Sequence, residues 1–570
     1  MNQHQRVLAK PWNWPVFASI FLLACVCRPA RAEDDIIVHG TFPDGSKLGV
    51  HCKDTGNGIA GLGKFTPFKG NQQMLHVGSG TYSLAKGSVV LNGKITGTKA
   101  LFQIKAGAGQ VAFTVLWPNN PPNTIQGTGT VSITDWSDAE LDDALTKVLK
   151  GNCFTGQIQT QLTKRLGRNI NPVLADTGRN LFFDSILGIA KDNSCAGCHS
   201  PLRGFGDTQP IAIGVGNNGI VGPGRTGPRN ERRAPSVINA AFYPNLMWNS
   251  RFIALSGNPF DNRKGFQFPQ PEGLTLSKLP TLLSAQAFLP VTEQDEMVGF
   301  DFEGTHDDMR AELTKRLNAI PAYRKLFGSQ FSTVFKGGPI TYDMVGMAIA
   351  EFEFSLVRAN APIDQFARGN TKAMTRAQKA GALLFWGKAG CIQCHKTAGP
   401  ANEMFSDFIP HNIGVPQIVA KLTNADNFDG PNNNEDYGYE QVTGNAADRY
   451  KFRTAPLRNI GLAPFFMHDG AFSTLEDAIA HHLNPKASAL KYTPVGRLPA
   501  DLTGPTTPIA PILAQLDPLM AQPIVLTDAE FRWLVAFVRW GLLDPAATPA
   551  QLKKLIPQKL PSGQPVATFN

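Results

Sequence analysis

Cys195-Ala196-Gly197-Cys198-His199 and Cys391-Ile392-Gln393-Cys394-His395 each place two thiols and an imidazole within five residues, twice in a chain of 570. Thiols at this spacing reach the two vinyl groups of one porphyrin and form thioethers. The imidazole that follows reaches the iron as its proximal ligand. The pattern predicts two covalently attached haem c groups, held by Cys195, Cys198 and His199 and by Cys391, Cys394 and His395, and it predicts redox chemistry. A zinc site or a dithiol switch would suit a single Cys-x-x-Cys without the histidine. Both copies carry it, and they stand 196 residues apart, so convergence of the two pairs on one zinc ion is not expected.

Haem attachment of this kind takes place outside the bacterial cytoplasm, and the N-terminus agrees. Arg6 and Lys10 form a basic start, Trp14 to Cys27 is an apolar stretch short for a bilayer span, and Ala30-Arg31-Ala32 supplies a small-x-small cleavage pattern. Residues 1–32 are expected to be a signal peptide and the mature protein periplasmic. Leu22-Leu23-Ala24-Cys25 loosely resembles a lipoprotein box, but Leu23 sits where a smaller residue is usual, so an outer-membrane anchor is the lesser expectation. Loss of the peptide takes Arg6, Lys10, Arg28 and Arg31 and no acid, which lowers the formal charge from +9 to +5. So mild a charge, without Lys/Arg runs, argues against nucleic acid as a partner and is compatible with an acidic protein. Of the eight cysteines, four belong to the haem motifs and Cys25 and Cys27 leave with the peptide. Cys52 and Cys153 remain, either as a disulfide in an oxidising compartment or as two free thiols.

The elements that must position these groups change character along the chain. Residues 33–137 are rich in Gly, Thr and Val, with alternating runs at 36–40, 88–95, 100–106, 110–117 and 128–134 and turns expected at Asn92-Gly93 and Pro118 to Pro121. This reads as a small antiparallel β module in which His39, His51 and His76 are scattered. From Asp138 the spacing turns helical: Leu141, Ala144, Leu145 and Val148 fall at i, i+3, i+4 and i+7. Gly178-Arg179-Asn180-Leu181-Phe182-Phe183 before the first haem motif is echoed by Gly381-Ala382-Leu383-Leu384-Phe385-Trp386 before the second. Each is predicted to be a helix whose aromatic face packs on its own haem. The fold class is therefore mainly α: two cytochrome c-type haem domains, 138–361 and 362–570, preceded by the β-rich module. A final helix should open at the capping box Thr527-x-x-Glu530 and close the core through Trp533, Phe537 and Trp540.

Beyond the haem motifs the chain carries Leu181-Phe182-Phe183-Asp184, Arg233-Ala234-Pro235-Ser236-Val237-Ile238-Asn239, Met247-Trp248-Asn249-Ser250-Arg251, Asp295-Glu296-Met297, His411 to Pro416 and a long block from Phe452 to Glu476. In this order they resemble the bacterial dihaem cytochrome c peroxidases and their MauG-like relatives, over roughly Asn171 to Pro545. The resemblance implies that the haem on His199 binds peroxide on an open face and that the haem on His395 is six-coordinate and relays electrons. Trp248 resembles the tryptophan between the two haems. Glu296 takes the place of the distal acid–base, which moves a proton from the near oxygen of peroxide to the leaving one. Many peroxidase relatives have a distal histidine about sixteen residues after the first motif, where Val215 stands here, so that side is closer to the MauG-like branch. The second haem's other ligand, a methionine in cytochrome peroxidases, falls by count on His482. Leu475, Ile479 and His482 share one helical face, whereas His481 is rotated away by roughly 100°; Met467 and His468 are the rivals. Calcium is also common in the family, held partly by backbone oxygens around Thr454 and Pro456, but Arg233 stands where an asparagine is expected.

The function expected first is a peroxidase that reduces hydrogen peroxide with electrons from a small cytochrome c or cupredoxin. The alternatives are MauG-like oxidation of a protein or organic molecule, dihaem oxygenase cleavage of an apolar substrate such as polyisoprene, and plain electron transfer with both haems closed. Homodimers are common among the relatives, which leaves a dimer open here.

Overall fold

The computed structural model describes residues 35–570 except 55–58, 68–71, 84–87, 97, 108–109, 117–122, 135–137, 268–275, 277 and 422–427, and divides into two units, Met1–Ser137 and Asp138–Asn570. The signal-peptide expectation and the turn at Pro118 to Pro121 fall outside the described residues.

The first unit is a closed antiparallel barrel of eight strands: β1 (Asp35–Thr41), β2 (Lys47–Asp54), β3 (Ile59–Thr66), β4 (Gln73–Ser83), β5 (Ser88–Ile95), β6 (Leu101–Gly107), β7 (Gln110–Leu116) and β8 (Asn123–Thr134). Sequential neighbours pair, and β1 closes on β8 through Val38 opposite Val131. Alternation sends Val38, Val50, Leu75, Leu91, Phe102, Ile104 and Phe113 inward, and an eight-stranded barrel is narrow enough for side chains to fill. Phe65 stacks on Phe113 with ring centroids 4.6 Å apart. Asn92-Gly93 makes no turn and lies inside β5. The glycine is needed there because a Cβ would meet the His76 carbonyl oxygen at 1.9 Å and the Phe102 ring at 2.7 Å, next to a register shift in β4 between Val77 and Ser79. The Gly-rich strands β2 to β4 escaped the sequence reading because several of their inward and outward positions carry glycine in place of a telltale side chain. His39 and His76 are exposed.

In the second unit the helices that matter are α1 (Asp138–Gly151), α2 (Pro172–Phe183), α3 (Tyr342–Ser355), α4 (Arg376–Trp386), α5 (Leu475–Leu483) and α6 (Asp528–Ala536). The echoed glycines have one function. A Cβ on Gly178 of α2 would lie 1.8 Å from the Ala348 carbonyl oxygen of α3, and one on Gly381 of α4 would lie 1.9 Å from that of Trp533 on α6. Each glycine thus lets two helices touch backbone to backbone, and the aromatic residues that follow fall beside a motif histidine: Phe182 lies 6.2 Å from the His199 ring and Phe385 lies 6.4 Å from that of His395. Two separate buried clusters result, one around Phe182, Phe205 and Phe352, the other around Phe385, Trp386 and Phe537.

The duplication extends to the backbone. Phe205 and Phe405, Asn239 and Asn459, and Met247 and Met467 all adopt left-handed φ values between 51° and 73°, uncommon for residues other than glycine. The side-chain amides of Asn239 and Asn459 donate to the same carbonyl, that of Arg358, both at 2.9 Å. The two halves therefore meet on one backbone oxygen.

The capping box of α6 forms as expected: Thr527 N–H donates to Glu530 Oε2 at 2.8 Å, and Glu530 N–H to Thr527 Oγ1 at 3.2 Å. Trp540 does not close the core, being 53 % exposed. The chain widens to a π-turn over Phe537–Gly541, which changes the angular step between side chains and leaves Phe537 buried but turns Trp540 outward.

Candidate functional site

Ser194 precedes one short helical turn, Cys195–Cys198, that presents both thiols and leads into His199. The His199 Nδ1–H donates to the Phe205 carbonyl at 3.3 Å, and that of His395 to the Phe405 carbonyl at 2.9 Å. In both cases Nδ1 is engaged and Nε2 is the nitrogen left for a metal, the usual arrangement for a ligating imidazole. Burial lowers both imidazoles to about 4, so each is neutral at ordinary pH, as a ligand must be. Burial also pushes the Cys195, Cys198 and Cys391 thiols up to about 12. These are not the low-pKa thiolates of a dithiol switch.

The two sites differ across from the motif histidine. The His482 ring lies 6.2 Å from that of His395, and its Nδ1–H donates to Ala478 O one turn back at 2.7 Å. Two imidazoles sharing one metal through nitrogens at about 2.0–2.1 Å place their centroids about 6.3 Å apart, so the pair fits an iron between them. His481 turns away, its ring at 89° to that of His482 and its Nε2 bonded to Ile413 O at 2.9 Å. His468 is stacked on Phe452 at 3.5 Å, with Nε2 3.9 Å from Asp436 Oδ2. Met467 packs at the edge of the second cluster.

His199 instead borders a cavity of about 390 Å³ walled also by Cys195, Cys198, Trp248, Gln286, Glu296 and Glu353. Among the described residues it is the only imidazole on that wall. Trp248 is fixed by its indole N–H, which donates to Arg233 O at 2.9 Å. Glu296 sits on a π-turn, Gln294–Val298, pinned from behind: Asn193 Nδ2 donates to Glu296 O at 2.9 Å and Val215 N–H to Asp295 O at 3.0 Å. Gly214 permits that approach, since a Cβ there would fall 1.9 Å from Asp295 O. Burial, then the Glu293 and Asp295 carboxylates, push Glu296 up to about 8.

Several residues of this site escaped the sequence reading. Asn193 links the first motif to the Glu296 turn, because its Oδ1 also accepts from Arg225 Nη2 at 2.9 Å. Glu353 is buried with Oε2 unpartnered, and burial pushes it up to about 8. Its neighbour Glu351 instead forms a bidentate pair with Arg168 at 2.7 Å. Two glutamates in the apolar run of α3 were the available signal. Around the residues of the calcium expectation, the Arg233 guanidinium donates to the Phe465 carbonyl and to Asp207 O at 3.2 Å, and Thr454 O accepts from Ser406 Oγ at 2.7 Å. Cys52 and Cys153 are both free, Cys52 inside the barrel and Cys153 exposed.

Two thiol–imidazole turns stand in a duplicated α-helical unit, one opposite a second histidine and the other beside a carboxyl-bearing cavity. Comparison with known proteins points to a class. Residues 173–372 match the family described as Di-haem cytochrome c peroxidase. The chain is 29 % identical over 341 residues to the cytochrome-c peroxidase IdrP2 of Denitromonas iodatirespirans, covering 57 % of this chain and 77 % of the relative. It is 29 % identical over 381 residues to the methylamine utilization protein MauG of Methylorubrum extorquens, covering 66 % and 80 %. A crystal structure of a MauG-like protein associated with microbial copper homeostasis aligns over 66 % of this chain and 91 % of that one, at 25 % identity and a TM-score of 0.47. The chain is thus similar to the dihaem cytochrome c peroxidases and to MauG, which supports a peroxidase-like oxidoreductase and implies haem cofactors. The barrel lies outside the matched residues.

Proposed function

We propose that this chain is a periplasmic peroxidase with two thioether-bound haems, reducing hydrogen peroxide to water with electrons from a small cytochrome c or cupredoxin. Cys195, Cys198 and His199 would hold the haem at the peroxide site; Cys391, Cys394, His395 and His482 would hold the electron-transfer haem. The asymmetry between the two sites carries this reading: His482 lies 6.2 Å from the His395 ring, whereas the wall facing His199 offers Glu296 and Trp248. When bound, the haems supply redox-active iron and the electrons stored on it. Glu296 takes the proton from the near oxygen of peroxide and returns it to the far oxygen, so that water rather than hydroxide departs. With its carboxyl held near 8, Glu296 releases and regains a proton close to neutral pH. Trp248, on the same wall and tied to Arg233 O, would pass electrons towards the peroxide site. The N-terminal stretch and the attachment chemistry of the two motifs support export to the periplasm.

The test is stopped-flow absorbance of the holoprotein, diferric and half-reduced, mixed with stoichiometric hydrogen peroxide. A fast Soret change at one haem is expected, reversed by a reduced small cytochrome, and Glu296→Gln should slow it on the order of a hundredfold or more. Absence of any fast change in either redox state would reject peroxide chemistry.

A further inference from the structure

Behind the Glu296 turn lies a second cavity, of about 320 Å³, lined by Thr292, Glu293, Gln294, Asp295, Phe300, Gly304, His306 and Met309. Glu293 and Asp295 line both this cavity and the one beside His199. The outer cavity reaches solvent, because Gln294, Phe300 and Gly304 on its wall are exposed. The other flank of the Glu296 turn is shut by Asn193, Gly214 and Val215, packed against its backbone. We propose that the outer cavity is the proton entrance of the peroxide site, and that Glu293, on the wall common to both cavities, hands protons from its water to Glu296.

The inference rests on the acid–base role given to Glu296. Reduction of hydrogen peroxide to two waters consumes two protons with two electrons. The electrons come from the donor protein through the haems, and the protons come from solvent to the carboxyl of Glu296. Glu293 takes a proton from water in the outer cavity and passes it to the Glu296 carboxylate once that carboxylate has given up its own to the departing water. Arg251, on the inner wall, holds Glu293 at 3.0 Å and fixes the carboxylate between the two cavities. Around Glu296 stand Glu293 and Asp295 from its own segment, Arg251 from the approach to the strand Phe252–Ala254, Glu353 from α3 and the Cys195 and Cys198 sulfurs; His306 also lines the outer cavity. The Glu293 carboxylate is the second cause, after burial, of the raised Glu296 value.

The experiment uses the holoprotein with Glu293→Gln, which keeps the size of the side chain and an oxygen acceptor for Arg251, and Gln294→Trp, which fills the mouth of the outer cavity and alters no charge. The fast Soret phase with stoichiometric peroxide is measured against pH in H2O and D2O. The Glu296 carboxyl band, assigned by its loss in Glu296→Gln, is titrated by difference infrared spectroscopy without peroxide. Both variants are expected to slow the fast phase on the order of tenfold and to enlarge its solvent isotope effect. Glu293→Gln should also lower the infrared midpoint, whereas Gln294→Trp should leave it in place. If either variant reacts within about twofold of wild type while Glu296→Gln is slow, the proton route is wrong and the role of Glu296 stands. If Glu296→Gln is itself as fast as wild type, both fall.

Discussion

Replacing Arg458 by methionine would show what holds the α-rich unit around its second thiol–histidine turn. The guanidinium is fully buried and donates to both Asp364 carboxylate oxygens, at 2.7 and 2.8 Å, and through Nε to the Glu403 carbonyl at 2.7 Å. It also lies over the Phe154 and Phe405 rings, at 5.8 and 5.4 Å. Asp364 is equally buried, and its other contact is the Ala361 N–H at 2.8 Å. Breaking a buried pair from one side costs about 3–5 kcal/mol, because the remaining charge has no water to replace its partner. Methionine keeps most of the volume, so the loss should come from the stranded carboxylate, and the double variant Arg458→Met with Asp364→Leu should recover most of it. The pH dependence gives a second signature. Burial already holds Asp364 above its ordinary value, with Arg458 the main opposing influence, so removing Arg458 raises it further. A carboxyl raised in the folded state keeps its full contribution to stability below the unfolded value of 3.8, and that contribution is lost as pH rises through the folded value. The single variant should therefore lie closest to wild type in mildly acid buffer and furthest from it in alkaline buffer. Urea unfolding followed by tryptophan fluorescence at several pH values measures this. A loss below about 1 kcal/mol, a double variant no more stable than the single one, or a deficit independent of pH would refute the reasoning.

His482→Met should leave the second haem six-coordinate but raise its potential, since thioether favours ferrous iron, and His482→Ala should make it high-spin; potentiometric titration and low-temperature spin resonance read both, and unchanged spectra in the alanine variant would remove His482 from the ligand set. Cys153 should react with a maleimide in the folded protein, whereas Cys52, whose thiol burial pushes up to about 12, should react only after denaturant. Equal labelling of the two under native conditions, read by mass spectrometry, would contradict the barrel packing.

The pentapeptides, the echoed Gly-aromatic helices and the capping box at Thr527 could be read from the sequence because each is a local pattern: five residues, one helical turn or one helix face suffices to express it. His482 came from the family resemblance, by count from Thr474, and helical spacing only agreed, since i+7 puts it on the face that carries Leu475 and Ile479. Periodicity misled where geometry departed from a regular element. The π-turn at Phe537–Gly541 turned Trp540 outward, and Gly93 served a strand rather than a turn because Phe102 and the His76 carbonyl press against it. The long-range meetings needed the folded chain: Asn239 and Asn459 on the Arg358 carbonyl, Asn193 between Arg225 and the Glu296 turn, and Glu293 on the wall between two cavities. Burial does the rest, for Glu351 and Glu353 are two residues apart on one apolar helix, yet one is neutralised by Arg168 and the other faces the cavity beside His199. The residue types that do chemistry are written in the chain, but their protonation and partners depend on which distant segments exclude water around them.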